Sequence, residues 1–189
     1  MFKKKPTFIR KVGFFMKKVI IIVSVLILAI IMLNKQEDYV IVPNESIRFR
    51  IIPNSNIPED IYMKEKVKEN ISNIIKDIET SDDINESRKN VISSINLIEN
   101  NINELFQDNN YNKTFNVKYG LNHFPEKVYK GVKYEEGNYE SMVIEIGQAK
   151  GDNYWCVLFP PLCLIEAEES DEIEYKFFIA DIINKFLKR

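Results

Sequence analysis

Hydrophobic and polar positions change rhythm several times along this chain. From Val19 to Leu33 every position is apolar except Ser24. From Ser46 to Ile52 apolar residues alternate with basic ones, predicting a strand with Ile47, Phe49 and Ile51 on its buried face. Arg48 and Arg50 share the opposite face, either as a solvated surface or as a charged recognition surface. From about Pro58 to Ile78 the rhythm lengthens. Val67, Ile71, Ile74 and Ile78 fall on one helical stripe, with Lys64, Glu65, Lys68, Glu69 and Lys76 outside it. Asn56 and Glu59 have the spacing of a capping box at its start. Thr80 to Asp83 breaks this helix, and Asp83 with Glu86 is spaced to cap a second one. Ile84, Val91, Ile95, Ile98, Ile102 and Leu105 form its stripe, too few repeats for a coiled coil and suited to packing on a sheet. Asp108-Asn109-Asn110 closes the helical half.

The second half alternates with period two. Phe115, Val117 and Tyr119 predict a strand that Gly120 interrupts, and Lys127 to Tyr134 a short hairpin turning at Lys130-Gly131. Tyr139 to Ile146 predicts the next strand, after a turn at Glu136-Gly137-Asn138. Tyr154 to Phe159 is a short aromatic and β-branched run, stopped by Pro160 and Pro161, which cannot donate ladder hydrogen bonds. Ser170 or Asp171 caps a final helix over Glu172 to Leu187, with Ile173, Phe177, Ala180 and Phe186 along one face. The expected architecture is a single α+β domain: a first strand, two helices, a mostly antiparallel sheet and a C-terminal helix.

Charge divides the chain. Residues 1–33 carry seven basic side chains and no acid, whereas the rest has a net charge of −9. That sign disfavours a nucleic-acid partner for the body. A basic leader followed by an apolar run predicts a signal peptide or signal anchor over residues 1–34, with residues 35–189 exported. The fifteen residues Val19–Leu33 are short for a transmembrane helix, which needs about 20.

Export bears on the two cysteines. Cys156 and Cys163 can form a disulfide outside the cytoplasm, contributing about 2.5 kcal/mol by loop-closure entropy, or can remain two buried thiols. No metal or cofactor site is expected: two Cys and the single His123 fall short of a zinc set. A Cys–His nucleophilic pair lacks any nearby cation to lower a thiol pKa, and no phosphate loop or nucleophile elbow is present. No catalytic residue is therefore singled out. Trp155, Phe159, Pro160, Pro161 and Leu162 suit either a core or a binding hot spot.

The run Tyr154-Trp155-Cys156-Val157-Leu158-Phe159-Pro160-Pro161-Leu162-Cys163 closely resembles the signature of the stage II sporulation protein R family. Ile47-Arg48-Phe49-Arg50 followed by Asn54-Ser55, Phe124-Pro125-Glu126-Lys127 with Tyr129, and Gly137-Asn138-Tyr139-Glu140-Ser141 with Ile146-Gly147 agree in order and spacing. Pro53, Asn56, Glu135-Glu136 and Tyr154 depart from the usual residues, all but the last in turns. The resemblance implies a non-enzymatic signal. It would be exported from the forespore into the intermembrane space, to activate the membrane-embedded aspartic peptidase that processes pro-sigma-E. Contact with that partner would use the apolar surface from Trp155 to Leu162, with Arg48 and Arg50. The competing readings are a membrane-anchored cell-envelope hydrolase, which the missing catalytic constellation disfavours, and a structural envelope protein.

Overall fold

A computed structural model describes residues 17–27, 39–129, 132–163 and 172–187. The chain divides into two compact units, Met1–Asp38 and Tyr39–Arg189. In the first, residues 17–27 form helix α1 with every side chain exposed. Among the described residues no helix is long and apolar enough to cross a membrane. The remainder of the predicted leader, the Lys130-Gly131 turn and the Ser170 or Asp171 cap lie outside the described residues, as do the side chains of Ile173 and Phe177.

The second unit is α+β. Its strands are β1 (Val40–Ile41), β2 (Ile47–Ile52), β3 (Phe115–Phe124), β4 (Lys127–Tyr129), β5 (Val132–Tyr134), β6 (Gly137–Ile146) and β7 (Tyr154–Phe159). Its helices are α2 (Pro58–Asn70), α3 (Ser72–Ile78), α4 (Ile84–Asp108) and α5 (Glu172–Leu187). The strands form two sheets, a larger one ordered β3-β6-β2-β7 and a smaller one ordered β1-β5-β4. Both are mixed: β2 runs parallel to β6 and antiparallel to β7, and β1 runs parallel to β5.

Alternation along the central strand builds the layers. Ile47, Phe49 and Ile51 face the helices with Met142, Ile144, Ile146, Cys156 and Leu158, against Val67, Ile71, Val91, Ile98 and Ile102. The other face is also covered. Val157 and Leu162 pack with Val42 and Val132 of the small-sheet region and with Ile179 and Ile183 of α5. Ile52, Phe124, Tyr139 and Val143 cluster beside them.

Several expectations are corrected. The single helix over 58–78 is two segments meeting at Ile71, whose φ of −90° and ψ of 1° depart from helical values. Asn70, Ser72 and Asn73 flank the break, and such side chains compete for backbone hydrogen bonds. Asn56 does not cap α2, since Ile57 is the N-cap and Pro58 opens the helix. The Asn56 carboxamide oxygen instead accepts the Asp152 N–H at 2.6 Å. Lys64, expected outside, is buried and reaches the Asp152 carbonyl. Asp83 caps α4 by accepting the N–H groups of Asn85 and Glu86, but Glu86 accepts from the Ser81 hydroxyl, which itself accepts the Asp83 N–H. Gly120 does not end β3. The strand continues through it at φ +145°, a value glycine tolerates and other residues rarely adopt. A further strand, β1, lies ahead of the first strand that the sequence pattern predicts.

Candidate functional site

The proline turn after β7 is closed by a covalent bond. Cys156 and Cys163 form a disulfide with S–S 2.06 Å and Cα atoms 5.2 Å apart. The Leu162 N–H donates to the Val157 carbonyl at 3.0 Å, tying the turn back onto the strand. The Phe159–Pro160 peptide is cis. The Cys163 N–H is buried and donates to Glu79 Oε1 at 2.8 Å, so the end of α3 and the hairpin share a charge-assisted hydrogen bond. Glu79 has no sequence signal beyond its place after Ile78, the last residue of the first helical stripe. Its carboxylate oxygen and the two sulfurs lie within 4.8 Å of one another. The sulfurs are bonded to each other and offer no thiolate to a metal.

On the opposite sheet face the arginines enter an aromatic cluster. Arg48 is fully buried, which overturns the solvated-face expectation. Its guanidinium carbon lies 3.3 Å from the ring centroid of Tyr139, 5.6 Å from Phe124 and 5.8 Å from Tyr134. Arg50 sits 4.6 Å over Phe124 and 5.8 Å from Trp155. Aromatic faces supply negative potential to these cations in place of carboxylates. Arg48 Nη1 donates to the Glu135 carbonyl at 3.4 Å, while Arg48 Nε and Nη2 and Arg50 Nε have no hydrogen-bond partner among the described residues. Burial holds both guanidinium groups below the ordinary arginine value, with the pull of Tyr139 on Arg48 and of Glu145 on Arg50 offsetting only part. Of the other predicted contact residues, Phe159, Pro160 and Leu162 are buried, whereas Trp155 and Pro161 keep partial exposure. The structure thus gathers Arg48, Arg50 and Trp155 on one face and turns the disulfide to the other.

Two of the sequence blocks quoted above meet in space. Asn54 Oδ1 accepts the Gln148 N–H at 3.0 Å, and the Gly151 N–H donates to the Pro53 carbonyl at 3.1 Å. Asp60 anchors the same turn from below. Its carboxylate accepts from Asn54 Nδ2 at 2.7 Å, Ser55 Oγ at 2.6 Å and the Tyr111 hydroxyl at 2.6 Å. Burial pushes the Asp60 carboxyl up, but these three hydrogen bonds outweigh it and hold the group below the usual carboxylate range. Arg88 grips Glu140 in a forked pair at 2.8–3.1 Å, joined by the Tyr119 hydroxyl, and fixes α4 to the sheet. Asp60 has no sequence signal that sets it apart from the other scattered carboxyls, whereas Glu140 falls in the Gly137–Ser141 block that carries the resemblance.

Strand order bears on the Cys–His alternative. His123 lies on β3 and Cys156 on β7, the two opposite edges of the larger sheet. His123 is exposed, 4.0 Å from Glu136.

Fold and site together define a disulfide-closed α+β domain with two arginines set among aromatic rings. The chain belongs to the stage II sporulation protein R family, whose profile matches residues 43–169. It is 30% identical to the stage II sporulation protein R of Bacillus subtilis (strain 168) over 174 residues, covering 84% of this chain and 76% of that protein. No solved structure matches it.

Proposed function

We propose that this chain is an intercompartmental sporulation signal. Residues 1–34 direct export from the forespore, and residues 35–189 act as the messenger in the intermembrane space. There the messenger activates the membrane-embedded aspartic peptidase that processes pro-sigma-E in the mother cell, without chemistry of its own. The observation that carries this reading is the family match across residues 43–169, which includes the whole hairpin signature. Trp155 and its surroundings form the contact with the peptidase, since Trp155 retains exposure beside Arg50.

Deleting the gene in a sporulating host tests the reading. Pro-sigma-E is expected to persist on immunoblots, with conversion restored by the full chain. Normal conversion in the deletion strain overturns it. Release of muropeptides by the purified full chain would instead favour the envelope-hydrolase alternative.

A further inference from the structure

A groove of about 280 Å³ opens where α2 meets the start of β7, lined by Lys64, Lys68, Lys127, Glu65, Tyr154 and Trp155. Three amines therefore face one carboxylate, on a body whose net charge is −9. Lys64 is 3.2 Å from Glu65 and is also held by the Asp152 carbonyl. Lys68 lies 4.3 Å over the Tyr154 ring. Among the described residues neither Lys68 nor Lys127 has a salt-bridge partner. A second cleft of about 230 Å³ adjoins the first, sharing Lys68 and Tyr154 and walled by Phe49, Ile71 and Ile75. The basic lobe and the apolar lobe thus meet at Lys68 and Tyr154.

We infer that this two-lobed groove receives an acidic segment of the protein partner. The inference rests on the signalling reading above and specifies its recognition site. A carboxylate enters between Lys64, Lys68 and Lys127, and an apolar side chain a residue or two away fills the cleft beside Tyr154. Glu65 already pairs with Lys64 and so occupies part of the position the incoming carboxylate takes. The excess of amines in an otherwise acidic surface selects the sign of the ligand. The concave shape and the apolar second lobe select a peptide over a bilayer surface, which meets flat basic patches.

Trp155 is the only tryptophan and lines the groove, so its fluorescence reports occupancy directly. The full chain in detergent micelles is titrated with a synthetic Glu-Asp-Leu-Phe amide and with its Gln-Asn-Leu-Phe counterpart. The acidic peptide is expected to shift the Trp155 emission saturably, with binding weakened by salt. Lys68→Glu and Lys127→Glu are each expected to weaken it about tenfold, and Glu65→Gln to tighten it. Equal responses to the two peptides overturn the inference, as does a response confined to vesicles of anionic phosphatidylglycerol. In sporulating cells the Lys68→Glu/Lys127→Glu chain, present at normal abundance, is expected to leave pro-sigma-E unprocessed. Normal processing by that variant overturns the groove while leaving the signalling reading standing; normal processing in the deletion strain removes the signalling reading itself.

Discussion

The guanidinium of Arg48 lies over Tyr139, its central carbon 3.3 Å from the ring centroid, and its Nη1 donates to a backbone carbonyl, that of Glu135. A buried cation held by rings and one carbonyl has lost its hydration for a modest return. Arg48→Met keeps most of the volume and removes the charge, so its stability is expected to match or exceed that of the parent by up to about 2 kcal/mol. Arg48→Ala leaves a void under Tyr139 and is expected to cost about 2–4 kcal/mol. Urea unfolding midpoints rank the three chains, and a Met variant less stable than the Ala variant would contradict this account.

Removing the Cys156–Cys163 bond by reduction, or by the Cys156→Ser/Cys163→Ser pair, is expected to cost about 2–3 kcal/mol through the freed eight-residue loop. For a domain of this size that corresponds to a fall in Tm of roughly 4–12 °C. Thermal unfolding followed with and without reductant measures it. Glu79→Ala strands the buried Cys163 N–H and is expected to cost about 1–3 kcal/mol more in the oxidised protein.

Acid sensitivity follows from Asp60 and Glu140. For Glu140 the Arg88 fork outweighs the upward push of burial, and the Tyr119 hydroxyl adds to the fork. Both carboxyls therefore have folded pKa values below their unfolded ones. Their stabilisation is complete above the unfolded carboxyl range, at about pH 4, and is lost as pH falls through the lower folded values. Asp60→Asn and Glu140→Gln are each expected to lower stability at pH 7 and to flatten its decline below about pH 5. Denaturant titrations from pH 7 to pH 3 compare the slopes; parallel curves for parent and variants would refute the assignment.

Gly147 has φ +56°, and a Cβ built there would stand 2.2 Å from Asn54 Oδ1. Gly147→Ala is expected to cost about 1–3 kcal/mol, because both the backbone angle and the contact are unfavourable. Adding Asn54→Ala removes Oδ1 and Cγ but keeps the Asn54 Cβ 2.9 Å away, leaves the angle, and forfeits the Asn54 bonds to Asp60 and Gln148, so the double variant is expected to recover at most a small part of the loss. Unfolding midpoints of the single and double variants test this, and full recovery would show the angle to be unimportant.

Much of the fold was legible in the chain. The two-residue alternation of Ile47, Phe49 and Ile51 and the helical stripe from Val91 to Ile102 each report one buried face, and the structure buries both. Arg48 misled for a physical reason. An arginine opposite a buried face reads as solvated unless the residues covering it are known, and Tyr134 and Tyr139 arrive from strands about 90 residues later. The same distance hid the pairing of Asn56 with Asp152, which converts an apparent helix cap into a loop clasp. Lys64 looked like an outward helix charge because no local pattern marks the Asp152 carbonyl as its partner. Local rhythm identifies faces; what lies over a face is a long-range property.

The parallel pairing of β2 with β6 has a consequence for biosynthesis. Arg48 is matched to Ser141 on one side and Val157 on the other, 93 and 109 positions further along. Strand β2, which lies between β6 and β7 in the larger sheet, therefore leaves the ribosome long before either of its neighbours exists. High sequence separation of this kind slows folding and keeps the sheet open until the closing residues arrive. On the export proposed above, a nascent chain in that condition suits a channel that admits only unfolded polypeptide. It is also a natural target for proteases until Phe159 has joined the sheet.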